Sequence, residues 1–450
     1  MLQKLRSSIG VREPWQRTLW VMFFAQVCTA VGFSIIFPFL PLYVEDLGTR
    51  TSLSIEFWAG MVFSAQAVTM MIASPIWGAI ADRFGRKLMV QRATFGGMII
   101  IGLMAFANTA EELVLLRAIQ GVVTGVVAAS NALVAAAAPR DRTGFAMGTL
   151  QVALWSGVSL GPLLGGVMAD AFGYRVPFLI TAMMLFIAGL LVHFFVYEDF
   201  TPEAKAANRD KGFVGEWRHI LGMPGVLQTY LVRFMTGLTR SMLIPIMPLY
   251  IAMLISEQSF TFTPEPFAAL AITILGVSTI TGLVVGSQSA AATFSAVYLG
   301  RLGDQIGHRR IVLGSAVFAA VFMLPQALVS APWQLLLLTL GTGLATGGLV
   351  AAPSALLARY TEPGEEGAVY GLDNSVLAAS RAIAPLLGAF FAASFGLRSA
   401  YVASAVLLVA VLIVALVMLP RDPIAARTTA SADEAPAEDM TPTAQPASAD

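Results

Sequence analysis

Arg117, Arg233, Arg240 and Arg381 lie within long apolar runs of the chain, where a charge is costly: an ionised side chain at the centre of a bilayer costs at least about 2.5 to 3.5 kcal/mol. A guanidinium kept there can hold an anion, pair with an acid or bias the proton affinity of a neighbour. Acids are scarce in the same runs. Asp373 stands near the start of the eleventh, and Glu45, Asp46 and Asp170 flank the ends of others. Arg233 and Arg240, seven residues apart, share one face of a helix. Arg240 is too central to reach the headgroups, whereas Arg233 either faces a pathway or extends to the lipid surface.

Covalent chemistry finds no support. Gly157-Val-Ser159-Leu-Gly161 matches the nucleophile-elbow spacing, but that motif needs a strand-to-helix turn and here lies inside an apolar helix. The three histidines, His193, His219 and His308, all fall near one membrane face. The single cysteine, Cys28, excludes an intrachain disulfide and a cysteine-based metal site. No glycine-lysine phosphate loop and no paired metal-binding histidines occur. The expectation is no enzyme, no catalytic residue, no metal and no cofactor.

The elements that hold these charges follow from composition. With 57% hydrophobic residues, 12% charged and a mean hydropathy of +0.76, the chain is too apolar for a soluble domain. Zero net charge gives no support to a nucleic-acid partner. A membrane helix needs about 20 apolar residues, and such runs fall at 18–43, 57–81, 88–107, 112–138, 143–171, 176–197, 225–254, 268–299, 310–329, 332–359, 367–394 and 400–419. The expectation is an all-α membrane protein of twelve transmembrane helices in two pseudo-symmetric six-helix bundles. Its parts are a short N-terminal segment (1–17), one bundle (18–197), a polar linker (198–224), a second bundle (225–419) and a disordered tail (420–450) rich in Ala, Pro, Thr, Ser and acid.

Duplication is legible directly. Gly78-Ala-Ile-Ala-Asp82-Arg83-Phe-Gly85-Arg86-Lys87 recurs 222 positions on as Gly300-Arg-Leu-Gly-Asp304-Gln-Ile-Gly307-His308-Arg309. Gly161-Pro162-Leu-Leu-Gly165 recurs 223 on as Ala384-Pro385-Leu-Leu-Gly388. Pro38-x-x-Pro41-Leu-Tyr43 returns as Pro245-x-x-Pro248-Leu-Tyr250, matching Gln26 to Arg233. These prolines mark corresponding helix breaks, serving either a central pathway or bends that seal a gate. Placing both termini on one side puts 20 of the 27 basic residues there, so both termini and both Gly-Asp-Gly loops are expected in the cytoplasm.

On these motifs the chain resembles the major facilitator superfamily, in particular its twelve-helix drug:proton antiporters, over residues 18–419. Gly78 to Lys87 looks like that superfamily's signature between helices two and three, complete at every position. The second copy departs from it at Gln305 and His308. Leu113-x-x-x-Arg117-x-x-Gln120-Gly121 is similar to its arginine motif, and Gly157-x-x-x-Gly161-Pro162-x-x-Gly165-Gly166 resembles its antiporter motif. The resemblance implies proton-coupled efflux of drugs or other small molecules by alternating access, from a bacterial inner membrane, by a monomer whose partners are substrate, protons and lipid. A dedicated metabolite exporter or importer shares the fold; a receptor or scaffold is the reading of another class. Asp82 would cap helix eleven or pair with Arg86 to lock the cytoplasmic side, with Asp141 and Asp373 as further partners and Arg117 with Gln120 as coupling residues. Candidate cavity residues are Gln26, Asn131, Gln151, Trp155, Arg233, Arg240 and Arg381, for each of which an interhelical contact is an equal reading. Because cationic-drug carriers usually place an acid at the substrate, this acid-poor interior suggests anionic, zwitterionic or neutral cargo.

Overall fold

A computed structural model describes residues 14–123, 125–139, 142–198, 219–260, 276–361 and 366–420. Among them every regular element is helical, as lipid demands of backbone that must satisfy its own hydrogen bonds. In chain order the helices are α1 (Pro14–Ser34), α2 (Leu40–Leu47), α3 (Ile55–Phe84), α4 (Arg86–Met104), α5 (Ala110–Val123), α6 (Val126–Ala137), α7 (Thr143–Phe172), α8 (Arg175–Phe195), α9 (Val226–Met242), α10 (Ile246–Phe260), α11 (Val277–Ile306), α12 (His308–Met323), α13 (Pro332–Tyr360), α14 (Glu366–Phe395) and α15 (Leu397–Met418).

Nine described helices are long and apolar enough to cross a membrane, or ten if the pair α9 and α10, bent by 40°, is one span. The first and fourth expected spans are each divided instead. α1 stops at Ser34 and α2 starts at Leu40, because Pro38 has no amide proton to give the Ser34 carbonyl, which accepts from the Phe37 amide at 3.2 Å instead. The fourth breaks at Gly125, whose φ of +142° opens α6. Turns at Gly85 (φ +96°) and Gly307 (φ +97°) join α3 to α4 and α11 to α12. The duplicated glycines thus sit where a side chain would strain the backbone.

Each half has its own core. Leu113, Phe39, Tyr43 and Phe178 anchor one; Tyr250, Tyr401, Val312 and Leu356 anchor the other. Ile220 and Met223, from the expected linker, are buried with Val226, Tyr230 and Leu357, so packing of the second half begins before its first long helix.

Candidate functional site

The motif glycines of α7 serve a packing contact within their own half and the first of two seams between the halves. Gly157, Gly161 and Gly165, four apart, press on α1: a Cβ at Gly157 would lie 2.9 Å from the Val31 nitrogen, and at the other two it would collide with Ser34 and with the Ile35 carbonyl. Ser34 Oγ donates to the Gly157 carbonyl at 3.0 Å across this contact. Gly166 and Pro162 instead face α11 of the other half, meeting Ser278 and Gly282. In the second seam Gly60 on α3 approaches the Pro385 carbonyl on α14, where a Cβ would sit 2.8 Å away. Small residues thus let the two halves touch backbone to backbone. These contacts lie toward the membrane end that carries Gly173 and Gly396, opposite the Gly85 and Gly307 turns.

Asp170 closes the first seam chemically. Its Oδ1 accepts from the Ser278 amide at 3.3 Å and its Oδ2 from the Thr279 amide at 2.6 Å. Nearby Tyr174 is pushed above its ordinary value by burial and then by the negative charges of Asp170, Asp46 and Glu45.

The interior arginines separate into three situations. Arg117 is fully enclosed: its Nε donates to the Val62 carbonyl at 3.2 Å, one terminal nitrogen donates to Gln120 Oε1 at 2.7 Å, and the Phe63 ring lies 5.6 Å beneath. Arg233, 8% exposed, forms an ion pair with Asp373, 4% exposed, and donates to Ser354 Oγ at 2.7 Å. Asp373 thus has a partner within its own half, and the buried Arg233 does not extend to the headgroups. Arg240 and Arg381 are exposed, with no carboxylate within ion-pairing distance among the described residues. Arg233, Arg240 and Arg381 lie within electrostatic reach of one another.

That exposure faces the interior. Arg240 shares its helix face with Arg233, which points at α13 and α14, and Gly237 between them touches Ser380 beside Arg381. On α14, Asn374 and Arg381 form one exposed face while Ile383 and Phe390, each nine positions further on, form the opposite one. Nine residues are two and a half turns, which brings out the opposite face, so the apolar face suits lipid and the polar face the space between the halves. Gln26 is buried on α1 with its Oε1 unpartnered among the described residues. Gln151 is exposed and Trp155 half-buried on α7, and Asn131 is half-buried on α6. No described hydrogen bond ties these four to the arginines.

At the opposite end, Gly78, Asp82 and Arg83 belong to the last turns of α3, with the Asp82 and Arg83 side chains and all of Asp141 outside the described residues. What holds the adjoining turn is a residue the sequence reading passed over. Glu198 accepts from the Arg86 amide at 2.9 Å and the Lys87 amide at 2.7 Å, capping α4, while Lys87 Nζ donates to the His193 carbonyl at 2.9 Å. An acid directly after the sixth apolar run was the available signal. The repeat is held otherwise: Asp304 lies 3.2 Å from His308 and 3.8 Å from Arg359, and Arg309 donates to the Leu419 and Leu416 carbonyls at 3.0 and 2.8 Å. Gly303 approaches His308 closely, and Gly300 meets nothing.

Comparison with known proteins agrees with this architecture. The model of the family described as Major Facilitator Superfamily matches residues 22–280 and 229–446. Multidrug resistance protein MdtG of Dickeya zeae is 34% identical over 394 residues, covering 87% of this chain and 91% of the relative. MdtG of Salmonella dublin is 35% identical over 392 residues, covering 87% and 92%. Among solved structures, a bacterial homolog to the human lysosomal transporter Spinster, inward-facing and occupied, superposes with a TM-score of 0.74 at 12% identity, covering 93% of this chain and 98% of the other. The nucleoside transporter NupG superposes at 0.70 and 12%, covering 91% and 100%.

Proposed function

The chain belongs to the major facilitator superfamily, and from that premise we propose that it expels drugs or other small molecules across the bacterial inner membrane in exchange for protons. The name multidrug resistance protein, borne by relatives that align over most of their length, supports efflux as the direction. The observation that carries the reading is the pair of exposed, unpaired arginines, Arg240 in the last turn of α9 and Arg381 halfway along α14, beneath an end where the halves meet backbone to backbone. Such a site is open to one side and closed to the other. Both termini and the Gly85 and Gly307 turns lie in the cytoplasm, as the basic-residue asymmetry indicates, so the closed end faces outward. One proton moving down about 100 mV supplies roughly 2.3 kcal/mol, enough for about a fiftyfold gradient without nucleotide hydrolysis.

The cargo is anionic, zwitterionic or neutral. Asp373 neutralises Arg233, leaving Arg240 and Arg381 as two bare cations that would repel a cationic drug. Asp82 and the turn beside it form the cytoplasmic gate, with Asp141 at the same end and Arg117 and Gln120 coupling its motion to the interior. The test is flux into and out of proteoliposomes under an imposed pH gradient, comparing an arylsulfonate such as 8-anilinonaphthalene-1-sulfonate, its neutral parent amine and a cationic dye. Gradient-driven movement of the sulfonate, lost selectively in Arg240→Gln and Arg381→Gln, is expected. Robust movement of the cation alone would overturn the cargo assignment, and no gradient-driven movement of any compound would overturn the transporter reading. Asp82→Asn is expected to abolish flux at near-normal expression; unchanged flux would remove the gate from this loop.

A further inference from the structure

The two seams repeat one another until they reach the helix starts. Gly282 on α11 faces the Pro162 carbonyl of α7, and Gly60, 222 positions earlier, faces the Pro385 carbonyl of α14, 223 positions after Pro162. The repetition ends at the N-termini of α3 and α11. α3 caps itself: the Phe57 amide donates to Ser54 Oγ at 3.3 Å. The residue 222 positions after Ser54 is Gly276, which has no side chain to offer. The cap of α11 comes from the other half, as the two bonds that the Asp170 carboxylate accepts from the Ser278 and Thr279 amides. A Cβ on Gly276 would collide with that carboxylate, so the glycine leaves the room in which the foreign cap sits. The position corresponding to Asp170 in the other seam is Ala393.

A cap within one half survives any rigid movement of the halves; a cap between them does not. The first-turn amides of a helix carry partial positive charge and need an acceptor, and among the described residues the Ser278 and Thr279 amides of α11 find a side-chain acceptor across the seam, in Asp170. We infer that Asp170 is the latch of the gate at this end, a positioning residue that sets the ratio of closed to open molecules. The inference rests on the proposed alternating exposure. α11 surrenders its cap each time the gate opens, whereas α3 keeps Ser54 throughout and its seam carries no such penalty. The latch is thus one-sided in a molecule that is otherwise duplicated.

The experiment measures the gate without transport. In the full chain with Cys28→Ala, spin labels at Phe172→Cys in one half and Ser256→Cys in the other report the distance across this end by pulsed electron resonance. Asp170→Asn and Gly276→Ser should each raise the ratio of long to short distances by about fivefold, as fits loss of a charge-assisted helix cap. The double variant should go no further than either single one, because both remove the same bonds. Gly276→Ser supplies α11 with the self-cap that α3 has, so it should keep its melting temperature while opening the gate. Ser54→Gly, the mirror control, should lower the melting temperature and leave the distances alone. Unchanged distances in both Asp170→Asn and Gly276→Ser, or an equal change in Ser54→Gly, would overturn the latch. Because no substrate or gradient enters, a protein that moves no cargo yet shows the shift would sink the transport reading and leave the latch standing.

Discussion

Arg117 and Arg240 are both arginines inside apolar spans, and no described carboxylate pairs with either, yet the two halves treat them in opposite ways. The first half encloses its arginine between a carbonyl, an amide side chain and an aromatic ring. In the second half one arginine has its charge cancelled by Asp373 and two remain bare toward the space between the halves. Neutral acceptors hold the Arg117 guanidinium by two of its nitrogens without cancelling its charge, the third finding no partner among the described residues, and enclosure makes it a strut joining α5 to α3. Exposure without a partner makes the same group available to an outside ligand. Duplication has therefore produced one half that is braced and one that is receptive.

The largest effect should come from unbalancing the receptive half. Asp373→Ala leaves Arg233 buried without its counter-ion, and breaking a buried pair by removing one partner costs about 3 to 5 kcal/mol. The yield of folded protein and its melting temperature should fall sharply, while the double variant Arg233→Met with Asp373→Leu should recover most of the loss. A mild single variant would mean that Arg233 is solvated in the same way as Arg240, and the distinction among the arginines would disappear.

Next in size is the strut. Arg117→Gln removes bonds to the Val62 carbonyl and Gln120 and leaves buried acceptors unsatisfied, a loss of about 1 to 3 kcal/mol. It should lower the melting temperature and slow every substrate alike. Arg240→Gln, at an exposed position, should change stability by no more than about 0.5 kcal/mol and affect anionic cargo only. If Arg117→Gln discriminated among substrates while keeping its stability, the roles of the two halves would be reversed.

Much of this was legible beforehand, and what was hidden has a physical pattern. Apolar runs, the repeated glycine turns and the glycine stripe of α7 report local needs, such as span length, positive φ and close backbone approach, and local needs leave local marks. The contacts that tie helices together around the site and its turns join residues far apart in the chain: Arg233 with Asp373, Asp170 with Ser278, and Glu198 with Arg86. Asp170 resembled an interfacial acid, and Glu198 the first residue of a linker. The mismatch of Ser54 with Gly276 could have been found by laying one half over the other, since a lost cap in one copy demands a substitute. Gly125 has a counterpart too, Gly347, but that one lies inside the unbroken α13, so a glycine in an apolar run does not reveal whether it packs or turns.

The smallest effect concerns the turns that the repeat does share. In the first half an acid, Glu198, binds amides at the start of α4; in the second a base, Arg309, binds carbonyls at the end of α15. Both fasten the turn to the last helix of their own half, with the charge reversed. A carboxylate at a helix N-terminus contributes about 0.3 to 1 kcal/mol, less in salt, so Glu198→Gln should lower the melting temperature slightly and lose even that difference at high ionic strength. Arg309→Gln should behave in the same way. Because these bonds lie within one half, neither variant should move the spin-label distances at the opposite end. A shift there would mean that the turns communicate with the far gate, and the separation between fastenings within a half and latches between halves would no longer hold.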